Sequence, residues 1–498
     1  MRMITGSINL LKDCFKEYTG SFVKYKKQFF ILLSIYIVAF SSIFRANFAY
    51  WDDIGRTYAG YHGWLDWSRY GTELLATLVQ MDWHLTDLSP LPQLLACAIM
   101  AAAGILLLDV FSDGGKIEIF QIIAASLTAL APYFLGIISY KFDSPYMAVS
   151  FLVCVFPFLF RRKPRSVYAI ISCVCLIAMC VTYQASSGVY PVIVLFLSMN
   201  GILKGESIRE NIKFIGVSSL CYLASLGFFW LFLMRENGVS IPLSVLPAFA
   251  ADRYIAYYKI IFHDCTKVWL VLLAAVIIVF LCSVYQSAGI NRGPAVCIGI
   301  FMIFAGSILC FGVNLFLSRE AYDTRIMYGI NFLITMLAVF ISFHAKGWMY
   351  QVVYVLLAWS FAVFALTYGN ALAVQKDYMN HRVELLAADV SDLDIMNTDS
   401  KKYIRMAGDI GYSPVIRNMA ENYPILERES YIGSGDGLFC SGLAEGIWGE
   451  YYFFHYLNIP NIESTPDMDD YQDWPVVRDT IYHTIRENGN CIVIELKE

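Results

Sequence analysis

The sequence predicts an all-α polytopic membrane protein of about eleven spans, followed by a small C-terminal α/β domain, and three observations predict it. Hydrophobic residues make up 58% of the 498-residue chain and charged residues 15%, with a positive mean hydropathy. A soluble core cannot hold that much apolar surface, so lipid must act as solvent. Several runs carry no charge over the ~18 residues that a helix needs to cross a bilayer, whereas a barrel would alternate rather than run. From Gln375 onward charge density rises sharply and the apolar stretches shorten. The formal net charge of −5 is dominated by this last part, and no basic tract supports nucleic-acid binding.

Taken in order, Ile8, Leu11, Phe15 and Phe22 have near-helical apolar spacing interleaved with Lys12, Lys16, Lys24, Lys26 and Lys27. Residues 1–27 therefore read as an interfacial helix on an anionic leaflet. Gln28–Phe44 is the first span, retained because Phe48–Tyr50 offers no small-residue cleavage site. The further runs are Leu91–Val110, Ile119–Ser139, Tyr146–Phe160, Val167–Tyr183, Val189–Leu203, Phe214–Met234, Val268–Val284, Ala295–Phe316, Ile326–Phe343 and Trp348–Leu366.

Lys116, the Arg161–Arg165 cluster, Lys204 with Arg209 and Lys213, Arg292, and Lys346 then fall on the side of the N-terminus. Parity places the first loop (49–90) and the C-terminal domain (373–498) on the opposite side of a membrane domain over 28–372. Between Val167–Tyr183 and Val189–Leu203, Gln184-Ala185-Ser186-Ser187-Gly188 leaves one kinked helix competing with two short spans; two spans keep Lys204–Lys213 inside. No internal repeat or pair of broken helices is visible, which counts against a transporter. In the C-terminal part, Asp377–Ala388 reads as helix, and Tyr403–Met406 and Cys491–Ile494 as strands.

Most of the thirteen cysteines lie inside apolar runs, where they behave as small hydrophobes. No CxxC or His/Cys cluster exists, so no metal site is expected. Cys440 and Cys491 lie outside the runs at a spacing that permits a bridge.

The chemistry concentrates in the outer loops. The first reads YWDDIGRTYAGYHGWLDWSRYGTELLATLVQMDWHLTDLSP and holds Asp52-Asp53, Arg56 one helical turn on, and the aromatics Tyr58, Tyr61, Trp64, Trp67 and Tyr70. Tyr70, Leu74, Leu75, Leu78 and Val79 share a helical face, so this piece lies along the membrane surface. A carboxylate can take the proton of a sugar hydroxyl as it attacks, and aromatic faces stack on sugar rings. Arg or Lys can neutralise a phosphate leaving group.

Candidate phosphate partners are Arg56, Lys141 just before Asp143, Lys267 in the Arg235–Lys267 loop that also carries Arg253 and Lys259, and Arg319 with Arg325. Tyr61, Trp64, Trp67, Arg69 and Asp87 are candidates for the sugar or acceptor. The plainer reading makes the acids helix caps, the tryptophans an interfacial belt and the cations snorkelling anchors. For Asp52-Asp53 function is the favoured reading and for each single tryptophan the belt is; the side that the cations share with the acidic loop raises the functional reading for them.

Four separated motifs, YWDDIGRTYAGYHGW after the first span, LTDLSPLPQLL at Leu85–Leu95, TYQASSGVYP at Thr182–Pro191 and SREAYDTRIMYG at Ser318–Gly329, carry a resemblance. The chain resembles the phage- and prophage-encoded O-antigen glucosyltransferases, the seroconverting Gtr type of the GT-C superfamily. The resemblance implies a GT-C-like membrane domain in the bacterial inner membrane, with a cytoplasmic N-terminus and a periplasmic C-terminal domain. It implies an inverting transferase that moves glucose from undecaprenyl-phosphate glucose to a lipid-linked O-antigen sugar at the periplasmic face. GT-C enzymes carry their base in the first outer loop, which maps onto Asp52 or Asp53, with a slight edge to the earlier residue.

The implied partners are the lipid donor, the lipid-linked acceptor and membrane lipid, with no nucleic acid. No obligatory cofactor is implied, although some GT-C enzymes use a divalent cation. The main rival is a flippase for a lipid-linked sugar, which needs the same aromatics and cations but no base. A membrane acyltransferase would want a histidine in a span, and neither His62 nor His84 lies in one.

Overall fold

The computed structural model describes residues 20, 23–235, 244–289, 291–317, 322–428, 438, 441–446, 449–450, 452–453, 462–464 and 470–498. The expected interfacial helix over 1–27 therefore lies largely outside the described residues, as do Arg319 and Cys440.

The helices run α1 Lys26–Ala46, α2 Asp52–Ala59, α3 Tyr70–Gln80, α4 Leu91–Ser112, α5 Ile119–Leu130, α6 Ser144–Val155, α7 Arg165–Thr182 and α8 Val189–Leu203. They continue as α9 Ile208–Phe228, α10 Leu246–Asp264, α11 Lys267–Ser287, α12 Arg292–Leu309, α13 Gly329–His344, α14 Met349–Ser391 and α15 Pro414–Ala420. Among the described residues, nine helices are long and apolar enough to cross a bilayer. A tenth span forms if α5 is taken with Pro132–Ile138, bent from it by 50°, and Ser144–Phe160 is a shorter apolar helix. These account for the eleven apolar runs.

The breaks have sequence causes. Pro132 lacks an N–H and forces Ala131 into extended backbone (ψ 144), which ends α5. Carbonyls around this elbow find partners on other helices: Asn331 Nδ2 donates to Ala131 O at 2.9 Å and Gln93 Nε2 to Ile138 O at 2.9 Å. Without such partners a break at membrane depth would leave backbone groups unsatisfied. Tyr183 is extended (φ −153, ψ 103) between α7 and the 3-10 turn Gln184–Gly188, so this pair forms two spans. Small residues then let helices approach: a Cβ on Gly188 would lie 1.9 Å from Cys310 O, so only glycine fits there.

At one end of the bundle the basic loops gather. Arg162 and Lys204 both pair with Asp113 at 2.9 Å, and Arg161 pairs with Glu206 at 2.6 Å. At the other end lie residues 47–90, Tyr140–Asp143, Tyr183, Tyr322–Arg325 and α10. The last of these is a correction. The sequence predicts a loop over Arg235–Lys267, because Asp252, Arg253, Lys259, His263 and Asp264 interrupt its hydropathy; residues 246–264 form a helix that buries Arg253, Tyr257, Ile260, Ile261 and Asp264.

The helix expected over Asp377–Ala388 is part of α14, whose 43 residues run on from the last span. At ~1.5 Å per residue α14 is roughly twice the thickness of a hydrocarbon core, so its second half projects beyond the membrane. The C-terminal sheet docks on that half. Arg382 Nη2 donates to Tyr482 O at 2.8 Å, and Gln375 Nε2 to Ser441 O at 2.9 Å. The sheet has the order β2-β1-β5-β4-β3, with β1 Lys402–Ala407, β2 Ile462–Ser464, β3 Val476–Asp479, β4 His483–Asn488 and β5 Cys491–Leu496. β1 is parallel to β2 and β5, with Ile404 beside Ile492 and Met406 beside Ile494; β4 is antiparallel to β3 and β5. Ile404, Met406, Ile485, Ile492 and Ile494 form its buried face. Cys491 is a free thiol.

Candidate active site at the C-terminal end of the first span

After α1 ends, Asn47 turns into the left-handed region (φ 45), and Trp51 is held at φ 48, ψ −111. Positive φ on a bulky residue costs roughly 1–3 kcal/mol and persists only where the surroundings hold it. This turn delivers Asp52 and Asp53 to the first turn of α2, where unpaired N–H groups favour negative charge.

The two acids part company there. Asp53 is fully buried, and its Oδ2 accepts the N–H of Lys141 at 2.9 Å and of Tyr50 at 3.2 Å. Its Oδ1 is buried without a partner. Burial pushes its carboxyl up to about 7, and nearby Asp143 adds to the rise, against the Lys141 N–H bond and the Arg56 and Lys141 charges. Asp52 keeps 36% of its side chain exposed, with Arg56 Nη1 at 3.9 Å.

Two of the expected phosphate partners are already occupied. Arg56 forms a buried ion pair with Asp143 and lies 4.6 Å from the Trp64 ring, while Trp64 Nε1 donates to the other Asp143 oxygen at 2.6 Å. Trp64 is buried in this knot with Leu85, Phe142 and Tyr146 rather than presented to a sugar. Lys141 Nζ pairs with Asp87 at 2.9 Å, taking both residues as partners of each other. Burial would raise the Asp87 carboxyl, but Lys141 and Ser89 outweigh it and hold it below the usual range.

Two cations remain near Asp52. Arg325 stacks over the Tyr140 ring at 4.8 Å, and Arg69 over the Tyr183 ring at 4.9 Å, while Tyr183 Oη donates to Arg325 O at 3.2 Å. Arg69 Nε is buried without a hydrogen-bond partner. Burial, and then the Arg325 charge, hold the Arg69 guanidinium below its ordinary value, so the two cations act on one another. The Asp52 charge acts on both. Asp323 is the other acid beside Arg325, at 3.9 Å from its Nε.

Tyr61 lies partly exposed, 5.9 Å from the Arg56 guanidinium, and Trp67 is 54% exposed. In α3, Leu74 and Leu78 are exposed while Leu75 and Val79 pack inward on the buried cluster that holds Trp64. Lys267 is exposed at the start of α11, and among the described residues no ion pair joins it to the acids. Sequence reasoning missed Tyr140 and Tyr183, the aromatic seats of the two arginines, although Tyr183 stands in the quoted TYQASSGVYP motif. It also passed over Asp143 as a neighbour of Lys141.

Among the described residues no three His, Cys, Asp or Glu side chains gather as a metal-ligand set. Of the nearby acids, Asp143 is engaged by Arg56 and Trp64, and Asp87 by Lys141.

A curated relative, a Salmonella phage P22 protein described as an uncharacterized 55.3 kDa protein in the gtrB 5′ region, is 22% identical over 410 residues, covering 76% of this chain and 81% of that one. No solved structure matches. Residues 41–342, more than half of the chain and including both acids of α2 and Arg325, match the family described as glucosyl transferase GtrII, and the protein belongs to that family.

Proposed function

We propose that the protein transfers glucose from undecaprenyl-phosphate glucose to a hydroxyl of a lipid-linked O-antigen sugar at the periplasmic face of the bacterial inner membrane, with Asp52 as the base. The observation that carries this reading is one partly exposed carboxylate, Asp52, whose charge acts on two aromatic-seated guanidinium groups, Arg69 and Arg325. Asp52 takes the proton of the acceptor hydroxyl as its oxygen attacks the anomeric carbon. The bond from that carbon to the phosphate oxygen breaks, the configuration inverts, and polyprenyl phosphate leaves as an anion held by the two arginines. Guanidinium forks suit this departing charge, and stabilising it lowers the barrier directly.

Asp53 holds Tyr50 and Lys141 rather than substrate, and Arg56 with Asp143 braces α2 against α6. The partly exposed Tyr61 and the exposed Trp67 offer rings on which the acceptor sugar stacks. The basic loops gathered at the opposite end support a cytoplasmic N-terminus, which puts the acids outside. A reporter fused after Leu372 is expected to be active outside the cytoplasm; cytoplasmic activity would refute that orientation. Competition in membranes between glucosyl and other polyprenyl-phosphate donors tests the donor. Exclusive use of another hexose, or use of a nucleotide sugar, would refute it.

A further inference from the structure

Four segments distant in sequence meet at one buried guanidinium. Arg428 follows the 3-10 turn Pro424–Glu427, and its side chain is 0% exposed. Its Nη2 reaches Asp264 Oδ2 at 2.7 Å and its Nε reaches Asp264 Oδ1 at 3.2 Å, while Nη1 donates to the carbonyl of Tyr322. Tyr133 Oη, in the elbow after α5, donates to Asp264 Oδ2 at 2.7 Å. The C-terminal segment, the end of α10, the elbow and the chain entering the Arg325 turn are thus tied together.

Tyr322 is the telling partner. The next residue, Asp323, lies 3.9 Å from Arg325 Nε, and its carbonyl accepts the N–H of Ile326 at 3.0 Å, opening the single turn Thr324–Met327. That turn lies directly on the elbow: a Cβ on Gly136 would stand 2.1 Å from Thr324 Oγ1 and 3.2 Å from Arg325 N. The elbow is also the stretch that leads to Tyr140, the seat of the Arg325 guanidinium. Fixing the Tyr322 carbonyl and the elbow together fixes where Arg325 points.

We infer that Arg428 is a positioning residue, through which the C-terminal domain sets the place of Arg325 in the donor-phosphate site. This rests on reading Arg325 as a phosphate ligand. Arginine is needed because one planar fork must serve two carboxylate oxygens and a carbonyl at once; lysine keeps the charge but not that geometry. A residue that only stabilised the fold would lower the folded fraction without favouring one substrate over the other.

The test uses the full chain purified in detergent, with glucose transfer measured against donor and acceptor concentration separately and undecaprenyl phosphate as inhibitor. In folded Arg428→Lys, the donor KM and the inhibition constant for undecaprenyl phosphate are expected to rise about fivefold, a coupling of a size usual for residues acting through packed neighbours. The acceptor KM should stay within about twofold. Tyr133→Phe, which removes one hydroxyl and keeps the ring, should shift donor KM in the same direction by about twofold, and it decides the matter if Arg428→Lys does not fold. Unchanged donor KM in the folded variant, or equal loss for donor and acceptor, overturns the inference. Arg325→Ala run in parallel separates the two readings: an unchanged donor KM there refutes the phosphate assignment itself.

Discussion

Asp52 and Asp53 are adjacent in sequence and differ in environment: the first keeps 36% of its side chain exposed, and the second is fully buried against the backbone of Tyr50 and Lys141. On the proposed mechanism the base meets the acceptor hydroxyl, which favours the more exposed Asp52 over the buried Asp53. Asp53→Asn should therefore keep transfer within about tenfold of wild type, since an amide oxygen can accept the same two N–H bonds. A complete loss of activity in the folded variant would return the base role to Asp53.

The buried carboxyl also predicts a pH dependence of stability. With its folded value raised to about 7 and an unfolded value of about 3.9, the folded state keeps the proton over a range in which the unfolded state has lost it. Below about pH 4 both states are protonated and the group contributes nothing. From there to about 7 stability falls as pH rises, by an amount of order 4 kcal/mol, and the loss is constant above. Asp53→Asn removes this term, so its thermal stability in detergent relative to wild type should improve steadily between these limits. A difference that does not change with pH would contradict the assignment.

The Arg56–Asp143 pair is buried on both sides, with Trp64 on the second carboxylate oxygen. Removing one partner strands a buried charge, so Arg56→Ala or Asp143→Ala should each destabilise by roughly 3–5 kcal/mol. The double variant Arg56→Ala with Asp143→Ala should cost much less than the sum, because no charge is left unpaired. Additive losses in denaturation would show that the two side chains act independently.

Arg69 and Arg325 should each matter for turnover more than for folding. Alanine at either position is expected to slow transfer at least tenfold, about 1.4 kcal/mol of transition-state stabilisation. Lysine should restore only part, since it keeps charge without the fork. If lysine at Arg325 restores full activity, the residue is an anchor rather than a phosphate ligand.

The spans were legible because their signal is cumulative: many apolar side chains in a row outweigh any local ambiguity. Even the uncertain break at Gln184–Gly188 was marked by polar and small residues, and the charges at Lys204–Lys213 chose the two-span reading. The bend at Pro132 was written in the chain as well, but a hydropathy count over Ile119–Ser139 reads through it. α10 was hidden for the converse reason, since a helix with Arg253 and Asp264 turned inward has no clean apolar stripe.

The site was legible as a list and not as an arrangement. Asp52, Asp53, Arg56, Arg69, Lys141 and Arg325 all gather at one end of the bundle, yet their roles depend on which cation each acid meets. Lys141 is drawn to Asp87 and Arg56 to Asp143 across 54 and 87 residues of chain. Such long-range pairing leaves no local pattern. For the same reason Arg428 drew no notice: its partners Asp264 and Tyr322 lie 164 and 106 residues away.

The most direct measurement is glucose transfer from purified undecaprenyl-phosphate glucose to a lipid-linked acceptor in detergent, where no membrane separates two compartments and transport has no meaning. Wild-type protein should form product, and Asp52→Asn should lower kcat by about 10² to 10⁴ while binding the donor as before, because the amide keeps its size but cannot take the proton. No product from folded wild type with several acceptors, or near wild-type kcat in Asp52→Asn, would contradict the account.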